Sequence, residues 1–339
     1  MHPPARHRPY RPARWLVNPH LQTIWGRLAR RLPALPLRRE RWTTPDDDFL
    51  DIQRMDAASP DAPTFLLLHG LESSLRSHYI LPILKLAAAR GWEANLMYFR
   101  GCGGEPNRQA RSYHSGETTD VALVVERLRN ERPDAPLIVA GVSLGGNVLL
   151  KYLGEQGEAL EGVITAATAI SVPYDLARSC QHLDTHASFY TNWFLKTLRP
   201  KALAKVAQFP GLADPEAIRR SNSMWSFDDA YTSVVHGFAN AADYYRQSSA
   251  IHFLGGIRVP TLLLSSHDDP FHPPELLHEV AGIARQNPAL VTEFVDVGGH
   301  VGFVEGAVPW RTSSYCERRA IEFGLSQLNN SRSTVLEAR

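Results

Sequence analysis

Cysteine is scarce in this chain: three in 339 residues, at Cys102, Cys180 and Cys316. Widely spaced and odd in number, they build neither a disulfide framework nor a zinc pattern, and a reduced, cytoplasmic protein is expected. Charge of one sign is lacking too. The 36 Lys+Arg against 35 Asp+Glu leave a formal +1, so no global basic field recruits nucleic acid. No run approaches the roughly 18 apolar residues of a membrane span. The amino end also lacks an apolar core of signal-peptide length. Its Arg6, Arg8, Arg11 and Arg14, set among prolines, read as a flexible basic arm over 1–14, with weak contact to an anionic membrane surface as the alternative. The 14 histidines contain no His-Glu-x-x-His signature, so no metal and no cofactor is expected.

What is present describes an ordinary globular protein, 44% hydrophobic and 21% charged, long enough for one large α/β domain with an insertion. Apolar runs at 64–68, 94–98, 137–141, 162–170, 261–265 and 291–297 read as strands, with a further strand at 49–55 near the start. Helical segments such as 79–90 and 118–131 lie between several of them. That alternation predicts a mostly parallel sheet with helices on both faces, and ligands of such sheets collect at the carboxyl ends of strands. Some eighty residues, 174–255, separate two strands that would otherwise be neighbours. They hold Phe189, Tyr190, Trp193, Phe194, Trp225, Phe227, Tyr231, Tyr244 and Tyr245. The expectation is a helical cap inserted into a core of 15–173 and 256–328, its aromatics either lining an apolar pocket or packing the cap onto the sheet. Residues 329–339 read as a frayed tail. The glycine loop 101–104 lacks the Gly-x-Gly-x-x-Gly spacing and a following lysine, which excludes a nucleotide fingerprint and leaves a tight turn near the pocket.

The chemistry concentrates in Gly141-Val142-Ser143-Leu144-Gly145, with an apolar strand before it and a helix-like run after it. A Gly-x-Ser-x-Gly corner between strand and helix holds its serine on a sharp, exposed turn. A serine hydroxyl needs a base to take its proton. In such a fold an acid and then a histidine follow the serine in the chain. Asp269, after the strand at 261–265, is the expected acid, with its neighbour Asp268 as the alternative. His300, on the glycine-flanked loop 298–302, is the expected base. The backbone N–H groups of Leu71 and Leu144 are the expected oxyanion donors. His69 before Gly70 reads as a structural hydrogen-bonding residue, and Cys102 is not expected to be a nucleophile.

Together these residues resemble the YheT-like esterase family of the α/β-hydrolase superfamily. The likeness runs from about residue 15 to 325 through "NPHLQTIW" (18–25), "HGLESS" (69–74), "YFRGCGG" (98–104), "YHSGETTD" (113–120), "GVSLGGN" (141–147), "SHDDPF" (266–271) and "GGHVGF" (298–303). The resemblance implies an α/β-hydrolase fold and a serine hydrolase of carboxylic esters, with Ser143 as nucleophile, Asp269 as acid and His300 as base. Its expected partner is a small-molecule ester, lipid-like esters included. Thioester hydrolysis or acyl transfer on the same residues, or a catalytically silent ligand-binding member of the fold, are the alternatives. No catalytic role follows for "NPHLQT", which is expected to pack the amino arm against the cap.

Overall fold

The computed structural model describes residues 7–337, with side chains described through residue 330. Eight strands form one sheet: β1 (Arg38–Thr43), β2 (Phe49–Met55), β3 (Thr64–Leu68), β4 (Glu93–Met97), β5 (Leu137–Val142), β6 (Ala166–Ile170), β7 (Thr261–Ser266) and β8 (Leu290–Val295), in the order β1-β2-β4-β3-β5-β6-β7-β8. Every pairing from β4 to β8 is parallel, and only the hairpin β1–β2 and its joint to β4 are antiparallel. The central strands are buried on both faces, which is why they read as unbroken apolar runs. Alternate residues of β3 part company: Leu66 and Leu68 join the core that includes Val121, Leu149 and Leu276, whereas Phe65 and Leu67 pack with Ile80, Ile83 and Ile321. Helices Thr119–Glu131, Leu144–Gln156 and Glu275–Ala284 thus contribute to one core, and Ile80–Ala88 and Tyr315–Glu337 to the other. This is the α/β-hydrolase fold.

Differences from the sequence reading have local causes. The strand expected at 162–170 begins only at Ala166, because Gly162 turns the chain at φ +74° after the short helical turn Gly157–Leu160. The charged β1 was not anticipated. It is an edge strand whose Trp42 alone is buried, and edge strands carry charge by design. The hairpin of β9 (Val304–Val308) and β10 (Arg311–Ser314) was also not anticipated. Of the arm expected at 1–14, residues 1–6 lie outside the described part, but its end is docked. Ala13 N–H donates to Val304 O at 2.9 Å, Pro12 bridges Glu305, and Ala13 and Leu16 are buried against Val304. The carboxyl end expected to fray from 329 continues as the helix Tyr315–Glu337.

Between β6 and β7 the chain forms the helices Leu176–His186, Ser188–Gln208, Pro215–Arg220, Met224–Phe227, Ser233–His236 and Ala241–Ser248, with a wider π-type turn at Asp228–Thr232. Part of this segment has its own core around Leu195, Ile218 and Phe227. Its return to the sheet is fixed by buried Asn147 of the helix Leu144–Gln156. That side chain donates to Ser115 O and Ser248 O, both at 2.8 Å, and accepts from Ala250 N–H at 2.9 Å.

Candidate active site

Ser143 stands at the junction of β5 with the helix Leu144–Gln156, at φ 54° and ψ −119°. Such a backbone costs roughly 1–3 kcal/mol and persists only where its surroundings enforce it. Here they do. Ser143 N–H donates to Ile170 O at 2.8 Å, and Ser143 O accepts from Asn147 N–H at 3.0 Å. The flanking glycines are required by space. A Cβ on Gly141 would lie 2.4 Å from Gly145 O, and one on Gly145 would lie 2.5 Å from both Leu68 O and His69 O.

The residues expected from sequence converge. His300 Nε2 lies 2.9 Å from Ser143 Oγ, and its Nδ1 lies 2.8 Å from Asp269 Oδ2. An ionised carboxylate only accepts, so Nδ1 carries the proton and Nε2 is the acceptor facing the serine O–H. Asp269 is 3% exposed. Burial pushes its pKa up, but the facing rings of His300 and His272 and the His300 hydrogen bond outweigh this, and the carboxyl sits below its ordinary value. Phe271 lies flat on the His300 ring, centroids 3.8 Å apart and planes 10° apart. Asp268 has a different task. Its Oδ1 accepts from Gly298 N–H and Gly299 N–H, both at 2.8 Å, and so shapes the turn that carries His300.

That turn is held from several sides, with Val301 at φ 59° and Phe303 at φ 44°. Val301 N–H donates to Ser171 Oγ at 3.0 Å, Ser266 O–H to Gly299 O at 2.9 Å, and half-buried His78 Nε2 lies 3.2 Å from Val301 O. The segment 18–23, expected only to pack the amino arm against the cap, supplies the rest. Asn18 caps the helix Pro19–Ala29. From that helix Thr23 Oγ1 accepts the N–H of His300 itself at 2.9 Å, while donating to Pro19 O at 2.7 Å. Fully buried Gln22 donates to Leu16 O at 2.8 Å and accepts from Val304 N–H at 2.9 Å. The approach is so close that a Cβ on Gly302 would lie 2.4 Å from Gln22 O. The segment therefore braces the histidine loop. It also touches the helix Ser188–Gln208 through His20, which faces Phe189 and Tyr190.

Leu144 is the first residue of its helix, so its N–H has no intrahelical acceptor. Leu71 sits opposite, in the turn after β3, and both border the same cavity as Ser143. His69 fixes that turn. Its Nε2 accepts from Phe99 N–H at 3.1 Å, so Nδ1 donates to Gly70 O at 2.7 Å. Burial lowers its pKa to about 4, and the ring stays neutral. The turn is tied across the cavity as well: Glu72, at φ 53°, meets Lys201 of the helix Ser188–Gln208 at 2.7 Å and Tyr113 O–H at 2.9 Å.

The cavity measures about 520 Å³ and runs from Ser143 under the helices of 176–248, bordered by Leu71, Phe194, Leu198, Phe227, Tyr231 and Phe271. Of the aromatics singled out by sequence, Phe194, Phe227, Tyr231, Tyr244 and Tyr245 border it, whereas Phe189 and Trp193 are exposed at 53% and 51%. Gly101, Cys102 and Gly104 of the glycine loop border it too, and burial raises the Cys102 thiol to about 12, far from a thiolate at neutral pH. Arg100, beside that loop, was overlooked. It is clamped between Asp120 (2.7 Å), Asp46 (2.8 Å) and Asp48 (3.0 Å), which ties the loop to the start of helix Thr119–Glu131. His182 and His186, one turn apart, stack at 4.6 Å, and among the described residues no third ligand joins them.

Comparison with known proteins identifies the family. The family model "Hydrolase_4: Serine aminopeptidase, S33" matches residues 59–292. The Escherichia coli (strain K12) protein named "Putative esterase YheT" is 38% identical over 305 residues, 88% of this chain and 87% of that protein. The chain belongs to the YheT-like esterase family of α/β-hydrolases. A further member of the superfamily, the human protein named phospholipase ABHD3, is 30% identical over 94% of this chain and 78% of its own length. The solved structure of the Pyrococcus furiosus esterase Pf2001 superposes with a TM-score of 0.54 at 17% identity, covering 93% of this α/β-hydrolase and 97% of the other chain, a likeness of fold.

Proposed function

We propose that this ester hydrolase cleaves carboxylic esters of apolar acyl chains by way of a covalent acyl-serine, with Ser143 as nucleophile, His300 as base and Asp269 as its orienting acid. The observation that carries the reading is the unbroken hydrogen-bonded line from Ser143 Oγ through the His300 ring to Asp269, at one end of an apolar cavity. Ser143 Oγ attacks the ester carbonyl as Nε2 of His300 takes its proton, and Asp269 stabilises the imidazolium that results. The oxyanion receives the N–H groups of Leu71 and Leu144, where one such donor is worth roughly 3–4 kcal/mol. The imidazolium then protonates the departing alcohol. In the second half His300 takes a proton from water as it attacks the acyl-serine carbonyl, then gives that proton to Ser143 Oγ as the C–Oγ bond breaks and the acid leaves.

The 520 Å³ cavity has the size of a small-ligand site and a mainly apolar border, with Glu72, Arg100, Lys201, Lys205 and Asp228 also on it. That favours an acyl chain over a charged peptide, and the human relative's name, a phospholipase, points to the same class of ester. The test is hydrolysis of p-nitrophenyl esters of two to sixteen carbons by the full chain and by Ser143→Ala. The reading expects turnover that peaks at an intermediate or long acyl chain and is lost in the variant. Equal rates in both proteins would remove Ser143 from the mechanism. Tight ligand binding without turnover would turn the site into a binding pocket.

A further inference from the structure

Acidic residues are missing from two stretches that the fold brings together. Residues 7–39 contain eight arginines and no aspartate or glutamate, and residues 185–213 contain four cations and no acid. The helices Pro19–Ala29 and Ser188–Gln208 lie in these stretches. They touch where the Arg27 guanidinium sits 4.5 Å over the Trp193 ring, where His20 meets Phe189, and where Ile24 packs with Tyr190 and Phe194.

The same two stretches hold six of the nine large hydrophobic side chains that stand exposed among the described residues: Val17, Leu21, Leu28, Leu32, Phe189 and Trp193. Leu21 and Leu28, seven residues apart, share one helix face. That face adjoins the one carrying His20, Ile24 and Arg27, which meets the second helix. Single exposed hydrophobics are commonplace, but a cluster of this kind marks an interaction surface. Arg14, Arg27, Arg31 and Lys196 are exposed beside it.

We infer that this face lays the enzyme on the surface of an anionic lipid bilayer. Aromatic and aliphatic side chains ringed by arginine and lysine, with no acid to repel lipid headgroups, form the pattern of an interfacial helix that lies in the headgroup layer. Charge chooses the occupant, because a face whose Arg14, Arg27, Arg31 and Lys196 form no ion pair among the described residues complements an anionic surface and repels a second copy of itself. Among the described residues no helix is long and apolar enough to cross a membrane, so the contact is peripheral. The face also adjoins the cavity, since Phe194 belongs both to the cluster beneath it and to the cavity border. An ester leaving a bilayer would enter there.

The test is co-sedimentation of the full chain with vesicles of phosphatidylglycerol and phosphatidylcholine (1:1) and of phosphatidylcholine alone, at 50 and 500 mM salt. Strong binding is expected only to the anionic vesicles at low salt. Each basic side chain near such a surface strengthens binding roughly fivefold, so the pair Arg27→Glu/Lys196→Glu should weaken it by about twenty-five-fold or more. The pair Leu28→Ser/Trp193→Ser should weaken it about tenfold or more. All four positions are exposed, so both variants should keep the wild-type melting temperature and the same rate on a water-soluble short-chain ester. Sedimentation reads binding and needs no cleavage of the lipid esters, so failure of the proposed mechanism would leave this test intact. Wild-type protein that stays in the supernatant, or variants that bind as well as wild type, would overturn the inference. So would a dimer that both pairs dissolve, which would assign the face to a second copy.

Discussion

Replacing Thr23 by valine deletes one oxygen and leaves the shape of the side chain almost unchanged. In the folded protein that oxygen accepts the N–H of His300 at 2.9 Å, across 277 positions of sequence. Without it the amide must find another acceptor or stay unpaired. Leaving a buried N–H unpaired costs roughly 1–3 kcal/mol. The turn has little freedom to relax, because Gly299 and Gly302 already press on Gln22 and Thr23 and two neighbouring residues hold positive φ. The easiest relief is a tilt of the loop that lengthens the 2.9 Å contact between His300 and Ser143. If 1–2 kcal/mol of that cost appears in the barrier, kcat/KM falls about five- to thirtyfold. The loss of the donor contact to Pro19 O adds a small stability cost, at most about 4 °C in Tm. Steady-state hydrolysis of a p-nitrophenyl ester, beside a thermal melt, separates the two. Thr23→Ser restores the acceptor and should restore the rate. A valine variant that hydrolyses ester within twofold of wild type would refute the reasoning, whatever its Tm.

The two adjacent aspartates should fail differently. Asp269→Asn should cut kcat about a thousandfold or more with a modest change in Tm, since it upsets the tautomer of His300. Asp268→Asn should lower Tm first, because it weakens the acceptor of two loop amides, and ester turnover with melting curves tells them apart. A third prediction concerns pH. Asp228 is buried under Tyr245 and Thr232; burial pushes its carboxyl up to about 6, and those two hydrogen bonds only partly offset it. The folded protein thus holds a proton that the unfolded chain releases near pH 4. Stability from this group is present at low pH, falls as pH rises from about 4 to 6, and is flat above, a span on the order of 3 kcal/mol. Asp228→Asn should remove that slope, so Tm of the variant relative to wild type should climb between pH 4 and 6.5; a constant difference would contradict the assignment.

Much of the sheet was legible because its central strands are buried on both faces and therefore spell unbroken apolar runs. The serine corner was legible for a related reason. A Cβ added at Gly141 or Gly145 would lie 2.4–2.5 Å from backbone oxygens, so only glycine fits, and that demand writes itself into the sequence. The Pro270-Phe271-x-Pro273 run favours Asp269 over Asp268 without excluding the latter, since both follow the same strand and differ only in the side of the turn they face. The bracing by Gln22 and Thr23 was invisible for a stronger reason. It joins the amino end to a loop more than 270 residues away, and such a contact leaves no periodicity in either segment. Likewise the helix Ser188–Gln208 is polar and apolar all round, buried at Leu195 and exposed at Trp193, and betrays its two-sided role only in three dimensions.

The central claim is that Ser143 is an activated nucleophile, and covalent labelling tests it most directly. The full chain is treated with a fluorophosphonate, digested, and the adduct located by mass spectrometry, beside Ser143→Ala and His300→Ala. The account predicts one adduct, on Ser143, absent from the first variant and slowed at least a hundredfold in the second. A folded wild-type protein that takes no label, or takes it equally after His300 is removed, would contradict it.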